Sequence, residues 1–210
     1  MRACQAGVVD LVGPVFDAAV GALSNEDSYV HSAGLSLCRA LATEFAGEAL
    51  PKLLETYVGA SDPAVRLRAG EALVLAIQAR GVLVRVHARV VVRGALSVVS
   101  LSAGDEEDQL RCSGLGVLAA VVTAVGGAAA EAFGRDVVDV CGACMSDFSV
   151  RASIEARRAA VFCIAALETA FRTSGCGGSL RADGIRLLRR FANDDDEVIR
   201  VHACGGLDSA

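Results

Sequence analysis

Apolar side chains recur along this chain at the spacing of one helix face, five times behind the same short register. An aliphatic residue precedes Arg or His, and a small residue follows three positions later, at Val30-His31, Val65-Arg66, Leu110-Arg111, Ala156-Arg157 and Ile199-Arg200. With the first residue as zero, offsets +4, +7, +8, +11, +12 and +15 give Gly34, Leu37, Cys38, Leu41, Ala42 and Phe45. The second copy gives Ala69, Ala72, Leu73, Ala76 and Ile77 before Arg80 departs, and the third Gly114, Val117, Leu118, Val121, Val122 and Val125. The fourth gives Ala160, Cys163, Ile164, Leu167, Glu168 and Phe171, with Glu168 its one charge, and the fifth has Ala203 and Leu207. Residues three and four apart share one face of an α-helix, so the pattern predicts four full helices and a short one, each with a buried stripe. The residue at +4 is Ala or Gly in all five copies, as expected where two helices cross closely.

Each register follows a turn signal: Asn25-Glu26-Asp27-Ser28, Ser61-Asp62-Pro63, Asp105 to Asp108, Ser149 to Glu155 and Asn193 to Glu197. Asp and Ser accept bonds from the orphan N–H groups of a helix start, and proline fits the first turn. A second helix is expected ahead of each turn, with stripes at Val8, Val12, Val15, Phe16 and Ala19, then at Leu50, Leu54, Tyr57 and Val58. The later ones run through Phe133, Val137, Val140, Cys141 and Cys144, and through Leu180, Gly184, Leu187, Leu188 and Phe191. The Val-rich stretch from Val82 to Val99 suits a strand by composition; its place in the repeat predicts a helix. The expected fold is an all-α solenoid of about five helix pairs, near 8–45, 46–80, 82–126, 128–172 and 179–210, forming one repeat domain over 1–210. Repeats of this length need their neighbours to bury an apolar face, which favours a binding scaffold over an enzyme.

Composition narrows the picture. The 210 residues are 53% hydrophobic but only 4% aromatic, without Trp, so the core must be built from Ala, Val and Leu. The net charge of −5 argues against direct nucleic-acid binding. Eight cysteines are scattered, mostly on apolar helix faces, and read as small buried hydrophobes in a reducing compartment, the cytosol. From Cys112 to Ala130 no charged residue occurs, about the length that spans a bilayer. Its Ala and Gly content and the Gly126-Gly127 break favour a buried solenoid helix, so no transmembrane segment is expected.

The run from Asp62 to Ala69, Asp-x-x-Val-Arg-x-x-x-Ala in flavour, resembles HEAT repeats, with armadillo repeats as the near alternative. A closer resemblance covers nearly the whole chain in order. Asn25 to Val30 and Leu50 to Tyr57 are similar to an "EDSYV" helix start and an "LP-x-LLE-x-Y" helix, and Arg66 to Val74 to "RLKVGEAL". Arg157 to Val161 and Asp196 to Ala203 are similar to "RRAAV" and "DDVVRLHA". Together these resemble the C-terminal region of the family comprising transport and Golgi organisation protein 6 and the RNA polymerase II assembly factor. Gly205-Gly206 and Cys176-Gly177-Gly178 depart from it. The resemblance implies a non-enzymatic adaptor without cofactors, linked to RNA polymerase II assembly and nuclear import and to protein secretion and Golgi organisation. The implied partners are RNA polymerase II subunits or secretory-pathway and coat proteins. The implied location is cytoplasmic, with nuclear shuttling or a place at the periphery of Golgi membranes.

Candidate chemistry is sparse. Cys141-x-x-Cys144 is the only CxxC, and both cysteines fall on an apolar stripe; a redox pair would open a helix after a strand, and zinc would need a second ligand pair. His31, His87 and His202 are far apart, and His31 takes the slot that Arg fills elsewhere, which predicts an exposed or capping role. An enzyme reading, a HEAT-like lyase or hydroxylase, needs a clustered set of His, acids or a reactive Cys that the chain does not supply. No catalytic, cofactor or metal residue is therefore expected. Arg66, Arg111, Arg157 and Arg200 recur at register +1, where they are expected to bond to a neighbouring repeat's acid or helix-end carbonyl, with partner contact as the alternative. Arg181, Arg186, Arg189 and Arg190 form a second basic group ahead of the acidic run Asp194 to Glu197. They are read as solvated ion pairs or as a surface for an acidic partner segment, and the row Arg85, Arg89 and Arg93 poses the same choice.

Overall fold

The computed structural model describes residues 2–79, 81–101, 107–146 and 153–208, with side chains described from residue 10 onward except at 81–84 and 146. The expected positions Val8, Arg80, Val82 and Asp105 and the turn at 149–152 lie outside that description. Among the described residues the secondary structure is α-helical throughout, without strands. The helices follow one another as α1 (Arg2–Leu23), α2 (Ser28–Glu44), α3 (Ala46–Gly59), α4 (Pro63–Ala79), α5 (Gly81–Leu101), α6 (Asp108–Val125), α7 (Gly127–Ser146), α8 (Ile154–Ser174), α9 (Gly178–Phe191) and α10 (Glu197–Asp208). They fall into five successive pairs, the all-α repeat architecture read from the stripes, and the Val-rich segment is helix α5.

The helix starts form where short polar side chains allow them. Asp27 accepts from the N–H groups of Tyr29 and Val30, at 2.8 and 3.4 Å, and caps α2. Asp62 accepts from Ala64 N at 2.8 Å just before Pro63 opens α4. Ser153 Oγ takes Ala156 N at 3.1 Å for α8, and Asp196 Oδ1 takes Ile199 N at 3.0 Å for α10. Each such cap contributes about 1 kcal/mol. Gly126 ends α6 at φ 68°, a left-handed backbone open to glycine, so the expected break falls between α6 and α7.

The chain divides into two compact units, residues 1–83 and 84–210. In the first, α1 packs on α2 and α3, and α4 on α2 and α3. Its core holds Phe16, Leu23, Cys38, Leu53, Tyr57, Leu73 and Ile77. Three expected stripe positions, Val15, Val30 and Leu37, are instead exposed at 37%, 40% and 38%. In the second unit α8 is central: α6 and α10 flank it in one layer, and α7 and α9 cover it from the other. Every offset of its stripe is buried, Glu168 included, at 1% exposure. α6 is long and apolar enough to cross a membrane by composition, yet Leu110, Leu115, Leu118, Val121 and Val122 are buried among neighbouring helices.

The small residue at +4 has the anticipated physical cause. A Cβ on Gly34 would lie 2.9 Å from both the Ala19 carbonyl oxygen and Ala22 Cβ, so α2 meets the backbone of α1 there. A Cβ on Gly114 would lie 2.5 Å from Val99 Cγ2 and 3.1 Å from the Ala95 oxygen of α5.

Candidate functional site

In the second unit, α6, α8 and α10 leave a groove of about 600 Å³ along their common face. Its floor is made of small residues: Ala165, Ala166 and Ala170 of α8, Gly126 after α6, and Gly205 and Gly206 of α10. Gly206 is required by the approach of the two helices, since a Cβ there would sit 2.7 Å from Leu188 Cδ1 and 3.3 Å from Ala165 Cα. One end carries Phe162 and Val201, exposed at 48% and 62%, beside His202. Phe162 meets His202 edge-on with ring centroids 5.3 Å apart. The threonines on the face add little polarity. Thr169 Oγ1 donates to Ala165 O and Thr173 Oγ1 to Thr169 O, each at 3.0 Å, so both hydroxyl hydrogens are spent on the helix itself. What faces outward is an apolar channel of methyl groups and one aromatic edge.

The register arginines occupy several kinds of place. Arg157 of α8 reaches the Asp194 carboxylate ahead of α10, spanning from one pair to the next, and lies over the Phe191 ring at 5.9 Å. Arg66 Nε donates to the Tyr57 carbonyl at 3.1 Å, at the end of α3 in its own pair. Arg111 pairs with Asp108 one turn back at 2.9 Å. Arg200 donates to the carbonyls of Asp194 and Asp195 in the turn just before it, at 2.6 and 2.9 Å. Arginines outside the +1 register also span pairs. Arg68 reaches the carbonyls of Leu23 and Asn25 at the end of α1. Arg158 holds Asp196 through Nε and Nη2. The adjacent arginines in Arg-Leu-Arg and Arg-Arg were the available signal; only the crossing of helices tells which one spans.

The second basic group divides. Arg181 turns inward and donates from Nε to Glu168 Oε2 at 3.3 Å. Burial pushes the Glu168 carboxyl above its ordinary range, opposed by the Arg181 bond, and Oε1 has no partner among the described residues. Arg186, Arg189 and Arg190 are exposed, as are Arg85, Arg89 and Arg93 on α5.

The remaining candidates are dispersed. His31 is half-buried, and its Nδ1 has no partner among the described residues; the cap is Asp27 instead. Cys141 and Cys144 are buried, and so is Cys163 on α8. A hydrogen bond with Cys163, then burial, push the Cys141 thiol well up, and burial chiefly raises Cys144. Among the described residues no group of three His, Cys, Asp or Glu is arranged to hold a metal ion.

Helices joined in pairs by small-residue crossings, with a channel between same-layer helices of the second unit, give the fold of an armadillo-like helical-repeat protein. Comparison with known proteins agrees. Residues 4–83 match the family described as required for nuclear transport of RNA polymerase II, C-terminus 1, which agrees over that segment with the RNA polymerase II side of the resemblance read in the sequence. Among curated proteins no sequence matches the chain. Of solved structures, a designed armadillo repeat protein is similar with TM-score 0.63 and 13% identity, over 95% of this chain and 86% of the other. An engineered protein of known crystal structure is similar with TM-score 0.60 and 16% identity, over 100% of this chain and 83% of the other.

Proposed function

We propose that this chain is a non-enzymatic adaptor that binds protein partners and serves RNA polymerase II assembly and nuclear import. The carrying observation is the family match over residues 4–83, a segment that coincides with the compact unit at 1–83. The repeat fold supports a binding role, because it spreads contacts over helix faces and turns instead of enclosing a reaction centre. In this reading the groove along α6, α8 and α10 takes an apolar segment of a partner protein, with Phe162 and Val201 as exposed contacts and the alanine and glycine floor admitting close approach. The five pairs act as one repeat domain, Arg66, Arg111, Arg157 and Arg200 serve its internal order, and the chain works in the cytoplasm with nuclear shuttling. A role in secretion at Golgi membranes, with coat proteins as partners, rests on the sequence resemblance alone.

Affinity capture from a cytosolic extract tests this. The tagged chain should retain RNA polymerase II subunits, and Phe162→Asp with Val201→Asp should release them. Retention of neither polymerase subunits nor secretory and coat proteins overturns the function. Retention of secretory proteins alone overturns the polymerase reading. Unchanged capture by the double variant overturns the groove.

A further inference from the structure

On the opposite layer of the second unit, α7 and α9 enclose a shallow pocket of about 410 Å³ lined by Arg135, Asp139, Asp183, Arg186 and Arg190, with Leu187 and Val138 as its apolar part. One carboxylate is shared by two cations there. Asp183 Oδ2 accepts from Arg135 Nη1 and Oδ1 from Arg186 Nη1, both at 3.1 Å. Asp139 lies 3.9 Å from Arg135 and is 65% exposed, so solvent weakens that pairing. Three guanidiniums against two carboxylates leave the pocket positive. The excess is local, because the chain as a whole carries −5.

Two of the four carboxylates in the acidic run after α9 are committed elsewhere. Asp194 is engaged by Arg157, and Asp196 by Arg158 and the Ile199 N–H. Among the described residues no carboxylate pairs with Arg189 or Arg190; Arg190 lies over the Phe191 ring at 6.0 Å, which leaves its charge in place. A guanidinium carries five donors in a planar fork that matches a carboxylate, and the single bonds to Asp183 leave most of them open to solvent.

We infer that the α7–α9 pocket is a docking surface for an acidic, Glu- or Asp-rich segment of a partner protein, separate from the groove on the other layer. Partner carboxylates take the outward donors of Arg135, Arg186 and Arg190, and the stem of an adjacent side chain rests on Leu187. Arg181, bonded to Glu168 inside the fold, takes no part.

Fluorescence anisotropy with a labelled octaglutamate peptide tests the inference on the full chain. Binding is expected to weaken with added salt, to fall about tenfold or more in Arg186→Glu with Arg190→Glu, and to stay unchanged in Arg85→Glu with Arg89→Glu. Circular dichroism checks that each variant folds. If the double reversal unfolds, Arg186→Gln with Arg190→Gln should give a smaller loss of the same sign. No binding, equal losses in the α7–α9 and α5 variants, or tighter binding to a single-stranded oligonucleotide or to phosphatidylserine vesicles overturns it.

Discussion

Arg158 on α8 grips Asp196 ahead of α10 with two bonds, Nε to Oδ1 at 3.1 Å and Nη2 to Oδ2 at 2.6 Å, while Oδ1 also accepts Ile199 N–H. One carboxylate therefore both starts α10 and ties it to α8. The Arg158 bond first, then the Ile199 N–H, hold the Asp196 carboxyl down at about 2. A carboxyl held below its unfolded value contributes stability above that value and loses it as the pH falls through the folded one. The stability difference between the wild type and Asp196→Asn should shrink as the pH drops from the ordinary aspartate range near 3.8 toward about 2, measured by urea unfolding at each pH.

Arg157 and Arg66 should differ. Arg157 ties α8 to the next pair through Asp194, and Arg157→Ala should lower stability by about 1.5–3 kcal/mol, the range for hydrogen bonds to charged groups. Arg66→Ala removes a bond within one pair and should cost less. Thermal melts compare them. An unchanged melt for Arg157→Ala with lost partner capture would assign that arginine to binding.

Gly34→Ala should destabilise the first unit although alanine is the better helix former. The added methyl meets the Ala19 carbonyl oxygen and Ala22 Cβ at 2.9 Å, and overpacking of this kind costs about 1–3 kcal/mol. Denaturant midpoints check the sign.

Glu168 should show the opposite pH behaviour to Asp196. Its raised carboxyl means that the folded state holds this proton more tightly than the unfolded chain, so ionisation costs stability as the pH rises above the ordinary glutamate range. The melting temperature of Glu168→Gln relative to wild type should rise from about pH 4 to about pH 8. Gly184→Ala would put a methyl 2.5 Å from Glu168 Oε1, and its cost should be coupled to Glu168 by about 1 kcal/mol in a double-mutant cycle.

Thiol reactivity should divide by burial. Cys38 is buried, its thiol pushed up to about 11, whereas Cys204 is exposed. With a thiol reagent at neutral pH, Cys204 should react in the native state, and Cys38, Cys141 and Cys163 only on unfolding, because the thiolate is the nucleophile. Mass spectrometry of the labelled peptides reads the order.

Much of the site was visible in the pattern only as parts. The groove residues Ala166, Thr169, Val201 and Gly205 sit on the faces opposite the buried stripes of α8 and α10, where they read as plain solvent positions. Nothing in its spacing marks Arg135 among the polar residues of α7, yet it shares Asp183 with Arg186 across two helices.

Sequence alone determined the helices, their caps, the small residue at each crossing and the burial of the α8 stripe, because helix periodicity and N-terminal hydrogen bonding act over a few residues. Tertiary structure decided which neighbour each long side chain meets. Arg68 rather than Arg66 reaches back to α1, Arg181 turns to the buried Glu168, and Val30 and Leu37 lie outside the core they were patterned for. A stripe fixes a direction around one helix axis; which residues face each other across two depends on how the helices cross and how long the turns between them are.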